Sequence, residues 1–272
     1  MTTATVEPAT RPKPTDRPGW RAVAVPTEHG GWGLTAEPIL LGLLLAPSIA
    51  GLCLGAATML AFLVRTPLRV ALVDRHRHRT LDRTRLARRV ALIEGAALVA
   101  LVGAAALSSP HPFWWPVIVA APLVGVELWF DARSRSRRLV PELAGAIGVS
   151  AAAAVIVVAG GHDTTEAIGA WLILAARSVT AIPYVRSQIA RLHHRPRTPR
   201  LEVVADAAAI GLASTAVAVH QAFLAGAVAV AAVVVVQRAT ARTPAPAKVL
   251  GMRQTALGVL VVTAAALGVH LT

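Results

Sequence analysis

From residue 31 onward the chain alternates long apolar runs with short polar breaks. The runs cover 31–47, 49–66, 89–108, 112–130, 139–160, 166–185, 201–219, 222–238 and 254–271. Each approaches the about 20 apolar residues that carry a helix across a hydrocarbon layer. The pattern predicts an all-α, polytopic membrane helix bundle of about nine transmembrane helices. Only Ala46, Pro47 and Ser48 separate the first two runs, so a re-entrant hairpin is the alternative there. Residues 1–24 are polar, carry Pro8, Pro12, Pro14 and Pro18, and lack the contiguous apolar stretch of a signal peptide. They are expected to form a disordered cytoplasmic tail, leaving 25–272 as one transmembrane helical domain.

Composition sharpens this picture. Hydrophobic residues reach 55%, charged residues only 15%, and mean hydropathy is +0.61. Soluble domains carry nearer a quarter charged. The net charge of +13 raises nucleic acid as a partner, but the placement of the cations removes the need for it. With the N-terminus inside, the cytoplasmic segments 1–30, 65–89, 131–138, 186–200 and 238–253 hold 4, 9, 4, 5 and 4 Lys or Arg. That is 26 of the 27; the last, Arg177, lies inside a span, and the opposite loops hold none. This partition is the positive-inside rule in complete form. It fixes the predicted orientation and explains the cations by topology and anionic lipid. Cys53 is the single cysteine, which excludes an intramolecular disulfide and a thiolate cluster. Walker, nucleophile-elbow, zincin and haem-attachment motifs are absent from the sequence.

Ionisable residues inside spans are costly and default to functional candidates. Glu37, Glu94, Glu127, Glu142, Arg177 and Asp206 qualify, with Glu28, His29, Asp131 and Glu202 at span ends. Helix directions put all six intramembrane residues in the cytoplasmic half. Two readings stand: each acid pairs with a neighbouring arginine, or together they line a polar pocket open to the cytoplasm. The connection after the second span adds Asp74, His78 and Asp82 at i, i+4 and i+8, one face of a continued helix. Two carboxylates and an imidazole can hold a divalent ion such as Mg²⁺, and nearby arginines can grip a phosphate. A solvated basic loop with salt-bridged acids is the alternative.

Three stretches carry a family resemblance: Pro26-Thr27-Glu28-His29-Gly30-Gly31-Trp32, Phe62-Leu63-Val64-Arg65-Thr66-Pro67-Leu68, and Arg138-Leu139-Val140-Pro141-Glu142-Leu143-Ala144-Gly145. In these the chain resembles the YwiC-like family of bacterial membrane proteins, from about residue 25 onward. That resemblance implies the bacterial plasma membrane. More distantly, the nine-helix layout with polar connections after spans two, four and six resembles the UbiA-type intramembrane prenyltransferases. Their first Asp motif maps onto Asp74, His78 and Asp82 with spacing kept and residue types altered; their second has no counterpart, since 180–200 contains no acid. The resemblance implies Mg²⁺ at Asp74, His78 and Asp82. It also implies an isoprenoid diphosphate or similar amphiphile at Arg65, Arg69, Arg138, Glu142, Arg177, Tyr184 and Arg186, with Glu28 or His29 as the catalytic or acceptor-binding group. The expected function is therefore a UbiA-like transferase or binder of an anionic isoprenoid amphiphile. The alternatives are a non-enzymatic scaffold or assembly factor for respiratory or haem proteins and, last, a transporter. Membrane lipid is an expected partner in each; no nucleic acid is.

The orientation has a direct check. In a Cys53→Ser background, His111→Cys should react with a membrane-impermeant maleimide in intact cells, and Arg195→Cys only after permeabilisation. The reverse pattern would overturn the assignment.

Overall fold

The computed structural model describes residues 20, 24–26, 29–79, 81–133, 138–196 and 198–272, with the His29 side chain excepted. Most of the expected tail at 1–24, and Glu28, lie outside the described residues. Nine α-helices follow in order among them: α1 (His29–Leu45), α2 (Ile49–His76), α3 (Asp82–Ser108), α4 (Trp114–Ala132), α5 (Leu139–Ala159), α6 (Thr164–Leu192), α7 (Pro199–Val219), α8 (Leu224–Thr240) and α9 (Ala247–Leu271). A short 3-10 turn, Gln221–Phe223, leads into α8. Eight of these segments are long and apolar enough to cross a membrane, and Gly30–Leu45 is a shorter apolar helix. The protein is a multi-pass membrane helix bundle.

Where helices outrun the apolar runs, they mostly do so at the arginine-rich end. α2 continues ten residues past 66, α3 begins at 82 instead of 89, and α6 runs on to 192. Apolarity measures what hydrocarbon accepts, whereas Arg and Leu are good helix formers in any solvent. Most of 65–89 is thus helix, not loop; only 77–81 connects α2 to α3.

The first two helices both pack against α5, α2 long enough to cross a membrane and α1 a shorter apolar helix. Glu37, midway along α1, meets Arg177, while Leu44 O near its C-terminal end takes a hydrogen bond from His270, 2.9 Å away. Ser48 Oγ caps α2 by accepting from the Gly51 N–H at 2.9 Å. The arginine-free end is tied further by Ser109 Oγ donating to Ala159 O at 3.1 Å. There Asp163 caps α6 through the Glu166 N–H at 2.8 Å, which with the Thr165 hydroxyl holds the Asp163 carboxyl below its ordinary range. Gly161, at φ +90°, makes the turn between α5 and α6 in a region other residues rarely enter.

α5 and α6 form the centre. Every residue from Ser150 to Ala159 is buried, and so is the run from Ile173 to Tyr184. α4, α2, α1, α9, α8 and α7 pack around this pair, while α3 leans on α2 alone with only 6% of its apolar window buried. Lipid tails offer helices no hydrophobic reward for associating, so close van der Waals approach decides the packing. The centre is accordingly alanine and valine, side chains that let backbones draw near. Gly42 marks one such approach: a Cβ there would lie 2.8 Å from Ile156 Cβ and 3.2 Å from Ala153 Cα.

Gly42→Ala should therefore overpack α1 against α5, at a cost of about 1–3 kcal/mol. Gly95→Ala on α3 points into open space and should be neutral or stabilising by up to about 1 kcal/mol. Thermal unfolding of the two variants in the same detergent compares them directly; equal midpoints would contradict this packing.

Candidate functional site

The buried charges gather toward the arginine-rich end. Arg177, the cation inside α6, is 1% exposed. Its Nη2 donates to Gln254 O of α9 at 2.6 Å and lies 3.6 Å from Glu37 Oε1 of α1. Glu37 is eight residues into its helix and Gln254 seven into its own, so each stands about 10–12 Å deep at 1.5 Å per residue. Gly258 makes room for the carboxylate, since a Cβ there would overlap Glu37 Oε1.

A second cluster joins the three stretches singled out in the sequence. Gly31 and Trp32 of α1 meet Phe62 of α2, the two rings edge to face with centroids 5.2 Å apart. One turn on, Arg65 bonds Asp131 through Nε at 2.7 Å and Nη2 at 3.3 Å, and reaches Glu127 at 2.8 Å. Glu127 in turn lies over Gly145 of α5, where a Cβ would collide with its carboxylate. Nearby on α5, Glu142 Oε2 accepts from Arg186 Nη1 of α6 at 2.7 Å. Asp131, which the sequence places at a span end, is wholly buried; Arg65 holds it and Glu127 together at one interface between α2 and α4.

The expected metal set does not form. α2 ends at His76, Arg77 and His78 turn the chain, and His78 sits at φ 51°. The reversal brings Thr84 of α3 onto Asp74: its hydroxyl donates to Asp74 Oδ2 at 2.5 Å and accepts from the Leu81 N–H at 3.2 Å. Arg83 takes the other carboxylate oxygen at 3.2 Å. Asp82 is exposed beside Arg85. Asp74 is a clasp closing the α2–α3 hairpin, and among the described residues no three His, Cys, Asp or Glu are grouped for a metal. The helical register that would align Asp74, His78 and Asp82 is broken by the turn two antiparallel helices require.

The remaining sequence candidates scatter. Arg69 is half-buried on α2, and Arg138 is exposed at the N-cap of α5. His29 begins α1, with its side chain outside the described residues, as is all of Glu28. Tyr184 is buried, its hydroxyl 2.9 Å from Thr240 Oγ1.

Tyr184 belongs to a site that sequence reasoning left unassembled. Between α6, α7 and α8, Thr180 donates to Asp206 Oδ1 at 2.6 Å and approaches Gln237 Oε1 at 2.9 Å. Asp206 also takes Arg238 at 2.5 Å. This polar floor opens at the arginine-rich end into a cleft of about 520 Å³ lined by Arg191, Glu202, Arg238 and Arg242. Among the buried donors without a partner in the described residues, two belong to residues lining this floor and cleft, Arg191 Nε and Gln237 Nε2, the latter on a side chain 2% exposed; Arg177 Nε and Nη1, deep in the bundle, are others. Arg191 is one of the cations after span six that could meet a phosphate, whereas Gln237 and Arg242 carry no sequence signal of their own; 57 residues separate Thr180 from Gln237, and only the fold joins them. The polar opening is thus off-centre, beside α6, not in the middle of the bundle.

Arg65→Ala should strand buried Asp131 and remove one partner of Glu127. Because Arg65 is partly exposed, the cost should fall between the about 1 kcal/mol of a surface pair and the about 3–5 kcal/mol of a buried one. Arg65→Ala with Asp131→Asn should recover part of the loss, read as thermal stability in detergent; no recovery would argue against the pairing.

The chain matches no curated protein and no solved structure. Residues 25–157, just under half of it, match the model of the family described as YwiC-like protein. They contain the Phe62, Arg65, Glu127, Asp131 and Glu142 arrangement but not the α6–α8 cleft. Across α1–α4 and all but the last two residues of α5, the chain is similar to the YwiC-like family.

Proposed function

We propose that this protein is a plasma-membrane binding protein for an anionic amphiphile, held by its head at the cytoplasmic leaflet in the α6–α8 cleft. The observation that carries the reading is the basic lining of the cleft, Arg191 and Arg242 beside Glu202 and Arg238, with Arg191 Nε buried and unpartnered there and Gln237 Nε2 likewise in the small polar floor that adjoins it. Buried donors left unpaired are costly, and an anionic oxygen is the acceptor that suits a guanidinium best. Three arginines against Glu202 and Asp206 leave the lining net positive. Beside it, Ile189, Leu192, Leu201, Val235 and Val236 are exposed, a surface along which an apolar tail can lie in lipid. An isoprenoid amphiphile falls in this class. The reading stops at binding: with Asp74 clasped by Thr84 and Arg83, no transferase step is assigned to the Asp74, His78 and Asp82 set.

Calorimetric titration of the purified chain with farnesyl phosphate and farnesyl diphosphate tests this. Binding is expected with or without Mg²⁺, weakened about tenfold or more by Arg191→Gln, as for a lost charge-assisted hydrogen bond, and unchanged by Asp74→Ala in protein of matched stability. Binding that requires Mg²⁺ and fails in Asp74→Ala would support the transferase-type site instead.

A second reading, the membrane scaffold, is favoured by α3. This helix packs on α2 alone, and the buried Oε2 of Glu94, midway along it, has no partner among the described residues. A carboxylate in that position fits a partner helix that supplies a donor. In a Cys53→Ser background, Ala100→Cys would then crosslink in native membranes and Ile118→Cys on α4 would not.

A further inference from the structure

The charges lining the cleft say which kind of head it takes. Arg238 is already committed to Asp206, so Arg191 and Arg242 are the guanidiniums left to meet a ligand. Facing them in the same cleft is Glu202, half-buried in the first turn of α7, with no ion pair or hydrogen bond among the described residues. A site built for a diphosphate would not keep an unpaired carboxylate at its mouth. Two or three negative charges on the ligand would lie against Glu202 in a medium that screens them poorly. Taken together, three guanidiniums and two carboxylates leave one net positive charge, which a single phosphodiester negative charge balances and a diphosphate exceeds; a head that also carries an ammonium sets that ammonium against Glu202 and keeps the net +1.

Glu202 also demands something of the ligand. An ionised carboxylate accepts hydrogen bonds and donates none. Its match is a hydroxyl or ammonium carried beyond the phosphate on a short linker. Gln237 Nε2, on the floor shared through Glu202 and Arg238, adds one more donor toward phosphate oxygens. We infer that the cleft is a site for a phospholipid whose head is a phosphodiester monoanion bearing a hydrogen-bond donor, with the phosphate on Arg191 and Arg242 and the donor on Glu202. Phosphatidylethanolamine and phosphatidylglycerol both have that chemistry, from an ammonium and a hydroxyl respectively. Phosphatidylcholine has the same phosphodiester and no donor. The inference rests on the proposed binding role of the cleft and names its ligand.

Native mass spectrometry of the full chain in detergent, titrated with short-chain phosphatidylethanolamine, phosphatidylglycerol and phosphatidylcholine, reads the preference. The first two are expected to bind about ten- to hundredfold more tightly than the third, the range of one hydrogen bond to a charged group. In Glu202→Gln, phosphatidylethanolamine should fall to the level of phosphatidylcholine, since the amide has lost the charge that held the ammonium. In Arg191→Gln all three should weaken together. Dependence of phosphatidylethanolamine but not phosphatidylglycerol on Glu202 would identify the ammonium as the donor, and equal dependence the shared chemistry. Equal affinity of the wild type for all three lipids, a preference unchanged in Glu202→Gln, or displacement of the lipids by farnesyl diphosphate at lower concentration would overturn the inference while leaving a binding cleft in place. Affinity for every amphiphile unaltered by Arg191→Gln would instead remove the binding role itself. Because Glu202 and Arg191 have no partners to lose, both variants are expected to unfold at the wild-type temperature, and that measurement accompanies the titration.

Discussion

A charge in hydrocarbon has to be neutralised at its own depth, and that requirement sets the register of this bundle. Arg65 joins α2 to α4, and Arg177 joins α6 to α1 and α9. Arg186 joins α6 to α5, and Arg238 joins α8 to α7. Sliding any of these helices by one turn would displace a guanidinium from its carboxylate by about 5.4 Å and leave both uncompensated, at several kcal/mol for the buried ones. Ion pairs of this kind add little net stability over apolar contacts. What they supply is uniqueness, in a bundle whose central faces are alanine and valine and would otherwise slip past one another easily.

Small residues and charges cooperate in a way neither achieves alone. Gly145 and Gly258 sit where Glu127 and Glu37 need room, so the carboxylates are seated against backbone. The same economy of side-chain volume lets α5 and α6 touch most of the other helices. The cleft lies instead at the flank of α6, where polar residues from three helices meet.

The bundle was legible in the sequence because span length and arginine placement are one-dimensional signals of a bilayer. The apolar run at 139–160 became α5 almost unchanged, and that at 166–185 became α6 with an added two turns at its arginine-rich end. The second run did not reveal that α2 continues through Arg65 and Arg69 to His76, since helix formation outlasts hydrophobicity. The Asp74, His78 and Asp82 spacing misled because periodicity assumes an unbroken helix, and the chain turns at Arg77 and His78. Glu37, Glu127, Glu142 and Asp206 were visible as costly residues, but their partners lie 26 to 140 residues away. The cleft was hardest to see: Gln237 and Thr180 are unremarkable in an apolar run until the fold sets them face to face.

Pro183 lies within α6, between the buried length around Arg177 and the end that carries Arg191. A proline has no N–H for the carbonyl one turn back, and helices bend most readily at such a position. The inner segment is immobilised by packing on every side, whereas the eight residues from Pro183 to Arg191 extend about 12 Å beyond the break. A bend of about 10° there would swing Arg191 by roughly 2 Å, enough to make or lose a hydrogen bond. Yet Tyr184 on Thr240, Arg186 on Glu142 and Gln188 on Ala241 O tie the segment beyond the break to α8 and α5, so a bend at Pro183 that moves Arg191 would also load those three contacts.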